Sequence, residues 1–223
     1  VSEQQVITSW SYSRFGTYEQ CPFKAKLLYI EKLKEPSSQA LEKGTAVHAE
    51  LERFLKLADE RLPQSALKLE EHAVAIKARK PYVELEVCFN KDWQPVDWFA
   101  KDAWVRIKID FLIKEDNYCL IGDWKTGRVR DSYEPQLELY ALTGLLMFPN
   151  VDTIDTALYF VDAGMVIEGQ QYKREDLELL KARWTDRVSK MLTDTEFQAT
   201  PNQYCKYCWF SFRRSAGGIC QAA

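Results

Sequence analysis

The stretch Trp104-Val105-Arg106-Ile107-Lys108-Ile109-Asp110-Phe111-Leu112-Ile113 decides the reading of this chain, together with its return, Tyr118-Cys119-Leu120-Ile121-Gly122-Asp123-Trp124-Lys125. In the first run Val105, Ile107, Ile109, Phe111 and Ile113 alternate with Arg106, Lys108 and Asp110. A period of two marks a half-buried strand. Glu115-Asp116-Asn117 supplies the hairpin turn, and Thr126-Gly127 ends the returning strand. Residues two apart on a strand share a face, about 6.5–7 Å from one another. Asp123 and Lys125 therefore point one way and Trp124 the other. Asp110 lies on the polar side of the preceding strand, so the hairpin lets the two aspartates meet. Two carboxylates beside a lysine make a cradle for a divalent cation, and such oxygen donors suit Mg²⁺ or Mn²⁺. An acid-x-Lys triplet also arises by chance in a chain with 28% charged residues, so its surroundings must carry the argument.

Outward from the hairpin, Tyr82–Phe89 shows the same alternation, and Glu84 and Glu86 fall among its polar positions. Glu86 is read as a solvated strand glutamate, the alternative being a place in the metal shell. Upstream, Ser11 to Lys34 is helical, with Pro22 interrupting it or starting a new helix. Leu41 to Leu62 forms a second helix with the stripe Val47, Leu51, Phe54, Leu55 and Ala58, stopped by Pro63. Residues 64–80 form at most a short helix. Downstream, Pro135 suits the first turn of a helix running to about Met147. Thr156–Val161 and Met165–Gln170 form a strand pair around Ala163-Gly164, and Lys173 to Leu192 is a long amphipathic helix. This order implies an α/β fold with a mixed sheet. One large domain, 1–223, accommodates it: a helical region over 10–35, a core over 40–195 and a cysteine tail over 200–223.

Composition narrows the setting. The hydrophobic share, 46%, supports a packed core, and no apolar run is long enough to span a membrane. Val1 to Trp10 is polar and lacks a signal pattern, so the expected compartment is the cytoplasm. The net charge of −3 neither argues for nor excludes a polyanionic partner, because local charge is what phosphates sense. Basic pairs occur at Lys24/Lys26, Lys32/Lys34, Arg128/Arg130 and Arg213/Arg214, and a solvated surface is the ordinary account of each. There is no P-loop, so any duplex-unwinding motor would be a partner protein.

Six cysteines are present. Cys88 and Cys119 sit inside strand patterns and read as buried structural thiols. Cys21, Cys205, Cys208 and Cys220 remain, two of them as Cys205-Lys206-Tyr207-Cys208. A disulfide framework does not suit a 26.0 kDa chain without a signal peptide. Zinc and an iron-sulfur cluster both fit the residue types.

Asp110 followed thirteen residues later by Asp123-Trp124-Lys125 resembles the PD-(D/E)xK nuclease superfamily. Gly44-Thr45-Ala46-Val47-His48 resembles the upstream histidine motif of its RecB-like branch, and Gln136-Leu137-Glu138-Leu139-Tyr140 the downstream Gln-x-x-x-Tyr helix. The spaced cysteines resemble the iron-sulfur subgroup that includes AddB and the small CRISPR-associated nucleases. The resemblance covers about residues 10–220. It implies a restriction-endonuclease-like core, a central mixed sheet flanked by helices, with the termini joined by a cysteine-ligated cluster. It implies that His48, Asp110, Asp123 and the Trp124 carbonyl hold Mg²⁺ or Mn²⁺, and that Lys125 serves the attacking water and the phosphate. Gln136 and Tyr140 would hold DNA backbone or brace Lys125, and Arg14 would face phosphates. Cys21, Cys205, Cys208 and Cys220 would hold a 4Fe-4S cluster rather than zinc, as a staple shielded by Tyr204, Tyr207, Trp209, Phe210 and Phe212. The implied activity is exonucleolytic hydrolysis of DNA, on single strands or duplex ends, alone or with a helicase or a recombination or adaptation partner. The competing expectation is a non-catalytic DNA-binding or scaffold module on the same fold.

Overall fold

A computed structural model describes residues 6–129, 133–212 and 218–222. Arg130, Arg213 and Arg214, named above as parts of basic pairs, lie outside the described residues. The chain groups into two units, Ser38–Arg183 and the pair of segments Val1–Ser37 and Trp184–Ala223.

The larger unit is built on a mixed sheet of six strands. These are β1 (Tyr82–Phe89), β2 (Val105–Glu115), β3 (Tyr118–Lys125), β4 (Thr153–Phe160), β5 (Met165–Glu168) and β6 (Tyr172–Lys173). Their order is β1-β2-β3-β4-β5, with β6 also beside β4. β1, β2 and β3 form antiparallel neighbours, as the hairpin reading requires. β3 and β4 are parallel, so a crossover must join them, and α5 (Glu134–Met147) is that crossover. β4 begins three residues before the expected Thr156, because its first residues find partners in β3 and in β6.

The two faces of the sheet are covered by different helices. Val47, Leu51, Phe54 and Leu55 of α3 (Gln39–Lys56) join a core with Phe111, Trp124 and Tyr159. On the opposite face α5 approaches so closely that a Cβ on Gly144 would stand 2.8 Å from Ile154 and 2.9 Å from Ile121. The helices on both faces explain a departure from the expected half-burial. Ile109 through Ile113 is buried without a break, Asp110 included.

Two helices differ from expectation at their ends. α3 stops at Lys56, well before Pro63. Leu57 turns extended, and Lys77 Nζ collects the carbonyls of Leu57 at 2.7 Å and of Ala58 and Glu60 at 3.2 Å. A cation at the carbonyl end of a helix replaces the missing intrahelical donors. Residues 64–78 carry the short helix that the sequence offered, a 3₁₀ turn at Gln64–Leu69 leading into α4 (Glu70–Ala78). The last helix, α6, spans Leu177–Thr193 rather than starting at Lys173. Lys173 belongs to β6, and the Asp176 carboxylate caps its N–H at 2.8 Å, which starts a 3₁₀ turn at Arg174 instead.

In the smaller unit Pro22 does start a new helix. α1 (Tyr12–Gln20) is capped by Ser11, Cys21 is extended, and α2 (Pro22–Tyr29) carries the proline in its first turn. Trp10 stacks on Trp184 with centroids 5.3 Å apart, and Phe15 meets the same indole edge-on. The Tyr18 hydroxyl donates to Asp194 Oδ2 at 2.8 Å, while Asp194 Oδ1 accepts the N–H groups of Glu196 and Phe197. Among the described residues no helix is long and apolar enough to cross a membrane.

Burial pulls the Asp194 carboxyl upward, but the Phe197 N–H, Tyr18, the Glu196 N–H and Lys190 outweigh it and leave it below its ordinary value. The folded state thus prefers the ionised form. Its contribution to stability is complete above the unfolded carboxylate value of about 3.9 and is lost as pH falls through the depressed folded value. Urea denaturation of wild type and Asp194→Asn across pH should show a constant stability gap at neutral pH that narrows only below about pH 4. A gap unchanged down to pH 2 would show that the charge of Asp194 is immaterial.

Candidate active site

Hydrogen bonding between β2 and β3 runs from the turn to the pair Phe111 and Gly122 and stops there. The next residues on the two strands are Asp110 and Asp123. β2 goes on pairing with β1 as far as Val105, and β3 with β4 as far as Lys125. The sheet is therefore parted between its two central strands where the aspartates stand. Gly122 permits the close approach at the last pair, because a Cβ there would fall 2.0 Å from the Phe111 ring. The N–H of Trp124, released from the β2–β3 ladder, donates to Asp110 Oδ2 at 2.7 Å. Its indole lies 5.2 Å from the rings of Phe111 and Tyr159 on the α3 face.

Asp123 is 6% exposed. Its Oδ1 accepts the Tyr140 hydroxyl at 2.5 Å and Gln136 Nε2 at 3.1 Å, and Gln136 Nε2 also reaches the Tyr140 oxygen. Its Oδ2 lies 2.7 Å from Lys125 Nζ, an ion pair, and accepts no well-formed hydrogen bond. Gln136 and Tyr140 stand at i and i+4, about one helical turn apart, so both side chains descend from the same face of α5. Their contact is with Asp123 and not with Lys125, which corrects one expectation drawn from the sequence. Burial and the neighbouring Asp110 push the Asp123 carboxyl above its ordinary range, against the pull of Lys125 and Tyr140. Burial and the two aspartates hold the Tyr140 phenol well above its usual value.

His48 approaches from α3. Its Nδ1 stands 3.3 Å from Asp110 Oδ2. Burial lowers the imidazole pKa, but Asp110, Asp123 and Glu84 more than restore it, and the net direction is upward. Gly44, one helical turn before His48, permits this approach, since a Cβ there would meet Thr126 Oγ1 at 3.1 Å. That contact sets the histidine helix directly against the end of β3.

Glu84 joins the group, and sequence reasoning did not select it. In the β1–β2 register it falls opposite Asp110, between the pairs Val83–Phe111 and Leu85–Ile109. It holds a left-handed φ of +54° in mid-strand, a strained conformation for a non-glycine residue. Burial, Asp110 and Glu52 raise its carboxyl pKa, while His48 and Lys56 oppose them. One ligand atom from each of His48, Glu84 and Asp110 lies within 4.8 Å of the others, the one such trio among the described residues. The donor set of this trio, two carboxylates and one imidazole, fits Mg²⁺ or Mn²⁺, and Asp123 stands outside the trio. Glu86, two residues on, is exposed and paired with Lys108 at 2.5 Å, as a solvated glutamate should be.

Four of the six cysteines belong to the smaller unit. Cys21, Cys205, Cys208 and Cys220 line a single cavity, together with Phe23, Leu27 and Phe210. Asn202 donates its backbone N–H to Cys205 Sγ at 3.3 Å and its side-chain amide to the carbonyl of Gln20 at 2.9 Å. Burial raises the Cys208 thiol, and the backbone N–H of Phe210 opposes that rise, while the Ser211 N–H donates to the Cys208 carbonyl at 3.1 Å. Cys220 exchanges backbone hydrogen bonds with Phe210 and Phe212. No three of these sulfurs close to within 4.8 Å. Of the five aromatic residues expected to shield them, Phe210 is buried and lines the cavity, and Tyr204 lines it while half exposed. Tyr207, Trp209 and Phe212 are exposed and do not line it, a correction to that expectation. Cys88 and Cys119 are buried, and burial pushes the Cys119 thiol up to about 12. Arg14 bonds the carbonyl and hydroxyl of Ser9 and lies over the Tyr29 ring.

The family model described as the PD-(D/E)XK nuclease superfamily matches residues 9–213. The chain belongs to that superfamily. A solved structure described as a "Putative exonuclease" from Eubacterium rectale shares the fold, with a TM-score of 0.52 and 13% identity over 93% of this chain and 88% of that one. The crystal structure of SSO0001 aligns with a TM-score of 0.44 and 16% identity over 99% of this chain and 90% of that one. No curated protein matches the chain significantly.

Tyr140 holds Asp123 from outside the prospective ligand set, and such supporting hydrogen bonds tune ligand position. Tyr140→Phe is expected to weaken Mn²⁺ binding roughly 10-fold in titration calorimetry while leaving the thermal midpoint nearly unchanged. Equal Mn²⁺ affinity in both proteins would show that the phenol does not position the carboxylate.

Proposed function

We propose that this chain is a metal-dependent deoxyribonuclease of the RecB-like branch, acting as an exonuclease on single strands or duplex ends. One observation carries the reading: the parted strands put Asp110 beside His48 and Glu84, and Asp123 beside Lys125. In this reading Asp110, Asp123, His48 and Glu84 would hold Mg²⁺ or Mn²⁺, with the Trp124 carbonyl as a further donor. A bound divalent cation would supply Lewis acidity toward a phosphate oxygen and toward water. Lys125 donates hydrogen bonds to the attacking water or to the phosphate, where negative charge grows as the bond to phosphorus breaks. Gln136 and Tyr140 fix Asp123 Oδ1, which leaves Oδ2 facing Lys125 and free to serve as a ligand atom. Acidic and basic groups thus meet in a buried place where their interactions are poorly screened.

The same proposal assigns residues 1–223 to one nuclease domain in the cytoplasm, with Cys21, Cys205, Cys208 and Cys220 holding a 4Fe-4S cluster. Support comes from their shared cavity, from the N–H groups aimed at the Cys205 and Cys208 sulfurs, and from their spacing. A single tetrahedral zinc, with Zn–S about 2.3 Å, would need the sulfurs closer together.

Labelled DNA incubated with Mn²⁺ should be degraded by wild type, and roughly 10²–10³-fold more slowly by Asp123→Ala and Lys125→Ala. Equal rates in all three proteins would defeat the nuclease assignment, and tight binding without cleavage would favour the scaffold alternative. Separately, anaerobically purified protein should be brown and yield iron and acid-labile sulfide in equal amounts, and Cys208→Ser should lose both. A colourless protein carrying zinc would overturn the cluster.

A further inference from the structure

The chain that leaves β3 is gripped at three successive residues. The Val161 N–H donates to the Lys125 carbonyl at 3.0 Å, one step beyond the last β3–β4 pair. Thr126 Oγ1 lies against Gly44 of α3, where an added Cβ would meet it at 3.1 Å. The Gly127 N–H donates to Asp162 Oδ2 at 3.0 Å. Gly127 itself has φ +103°, a conformation that glycine adopts without strain, so the chain turns as soon as this bond is made.

The other oxygen of the same carboxylate reaches α3. Lys43 Nζ donates to Asp162 Oδ1 at 2.8 Å, and Lys43 is the neighbour of Gly44, five residues before His48. One carboxylate therefore joins the end of the strand that carries Asp123 and Lys125 to the helix that carries His48. Asp162 is anchored in its turn. It stands between β4 and β5, where the Gly164 N–H closes on the Phe160 carbonyl at 2.8 Å. Lys68 Nζ donates to the Asp162 carbonyl at 2.7 Å, and a Cβ on Gly164 would fall 2.8 Å from Lys68 Cβ. Lys43 foremost, with the Gly127 N–H and Lys68, holds the Asp162 carboxyl below its ordinary value against the pull of burial.

The Lys43–Asp162 pair adds little to stability, because its side chains are 55% and 34% exposed and such ion pairs are screened by solvent. What it fixes is a relative position. His48 reaches Asp110 from α3, while Asp123 and Lys125 ride on β3. These groups converge only if α3 and the end of β3 keep one placement, and catalytic groups tolerate very little displacement.

We propose that Asp162 is a positioning residue: through Gly127 on one side and Lys43 on the other, it sets the His48 helix against the strand end that carries Asp123 and Lys125. This rests on the metal-dependent nuclease reading and adds the device that holds the two halves of its site together.

Mn²⁺ titration calorimetry without DNA, kinetics on labelled DNA and urea denaturation together test it. Asp162→Ala should weaken Mn²⁺ binding roughly 10-fold and lower kcat roughly 10²-fold at an unchanged KM. Asp162→Asn, whose amide oxygen still accepts the Gly127 N–H, and Lys43→Met, which cuts only the other arm, should each show part of that loss. Lys43→Met should add nothing in the Asp162→Ala background, since the two residues act as one unit. Lys43→Met alters an exposed side chain and should keep the wild-type urea midpoint, so its loss of Mn²⁺ affinity is not unfolding. Unchanged Mn²⁺ affinity and kcat in both Asp162→Ala and Lys43→Met, in a protein whose wild type cleaves DNA, would overturn the positioning role and leave the nuclease reading standing. Losses that simply add in the double variant would also overturn it. A wild type that neither binds Mn²⁺ nor cleaves DNA would remove the nuclease reading and this inference with it.

Discussion

The hydrogen bond from the Trp124 N–H to Asp110 Oδ2 is the constraint on which the rest of the site depends. A backbone donor in a central strand ordinarily belongs to the ladder, and leaving it unpaired in a buried place is costly. Here the ladder between β2 and β3 ends at Phe111 and Gly122, and a carboxylate takes over the donor one residue later. The parting of the strands and the placement of Asp110 are thus one event. Gly122 admits the Phe111 ring, the rings of Phe111, Trp124 and Tyr159 fill the α3 face, and the polar groups gather at the opening.

Such a concentration of carboxylates is uphill, and the surrounding chain shows how it is held. Asp123 is held by two hydrogen-bond donors, Tyr140 and Gln136, and by the Lys125 ammonium as an ion pair. Glu84 is held in a backbone conformation that a free strand residue would leave, opposite Asp110. Repulsion among buried acids is largest without a cation, and a bound divalent ion would turn it into attraction. The helices contribute by different means. α5 delivers hydrogen-bond donors from one face, and α3 delivers an imidazole because Gly44 lets it lie against Thr126.

The smaller unit follows another logic. Its four cysteines line one cavity whose walls are Phe23, Leu27 and Phe210, and the backbone presents N–H groups to two of the sulfurs. Hydrogen bonds of this kind stabilise thiolate character, which any metal centre there requires. Elsewhere in the unit the joins are conventional, with Trp10 on Trp184 and Tyr18 on Asp194.

By itself the sequence determined what depends on short-range pattern. The period-two runs marked β1, β2 and β3, Pro22 and Pro135 marked helix starts, and Asp110, Asp123 and Lys125 were identifiable because a tight hairpin brings its two strands together whatever surrounds it. What depends on long-range register was hidden. Glu84 and Glu86 are equivalent in the alternation of β1, and only the pairing with β2 across a long arm decides that Glu84 faces Asp110 while Glu86 meets Lys108. Gln136 and Tyr140 were visible as a helical pair, but their target is set by where α5 crosses β3, which no spacing encodes. The end of α3 was hidden for the same reason, since Lys77, twenty residues beyond Leu57, collects the carbonyls of the chain that leaves the helix. Local pattern fixes which face a side chain takes, and tertiary packing decides which neighbour it finds there.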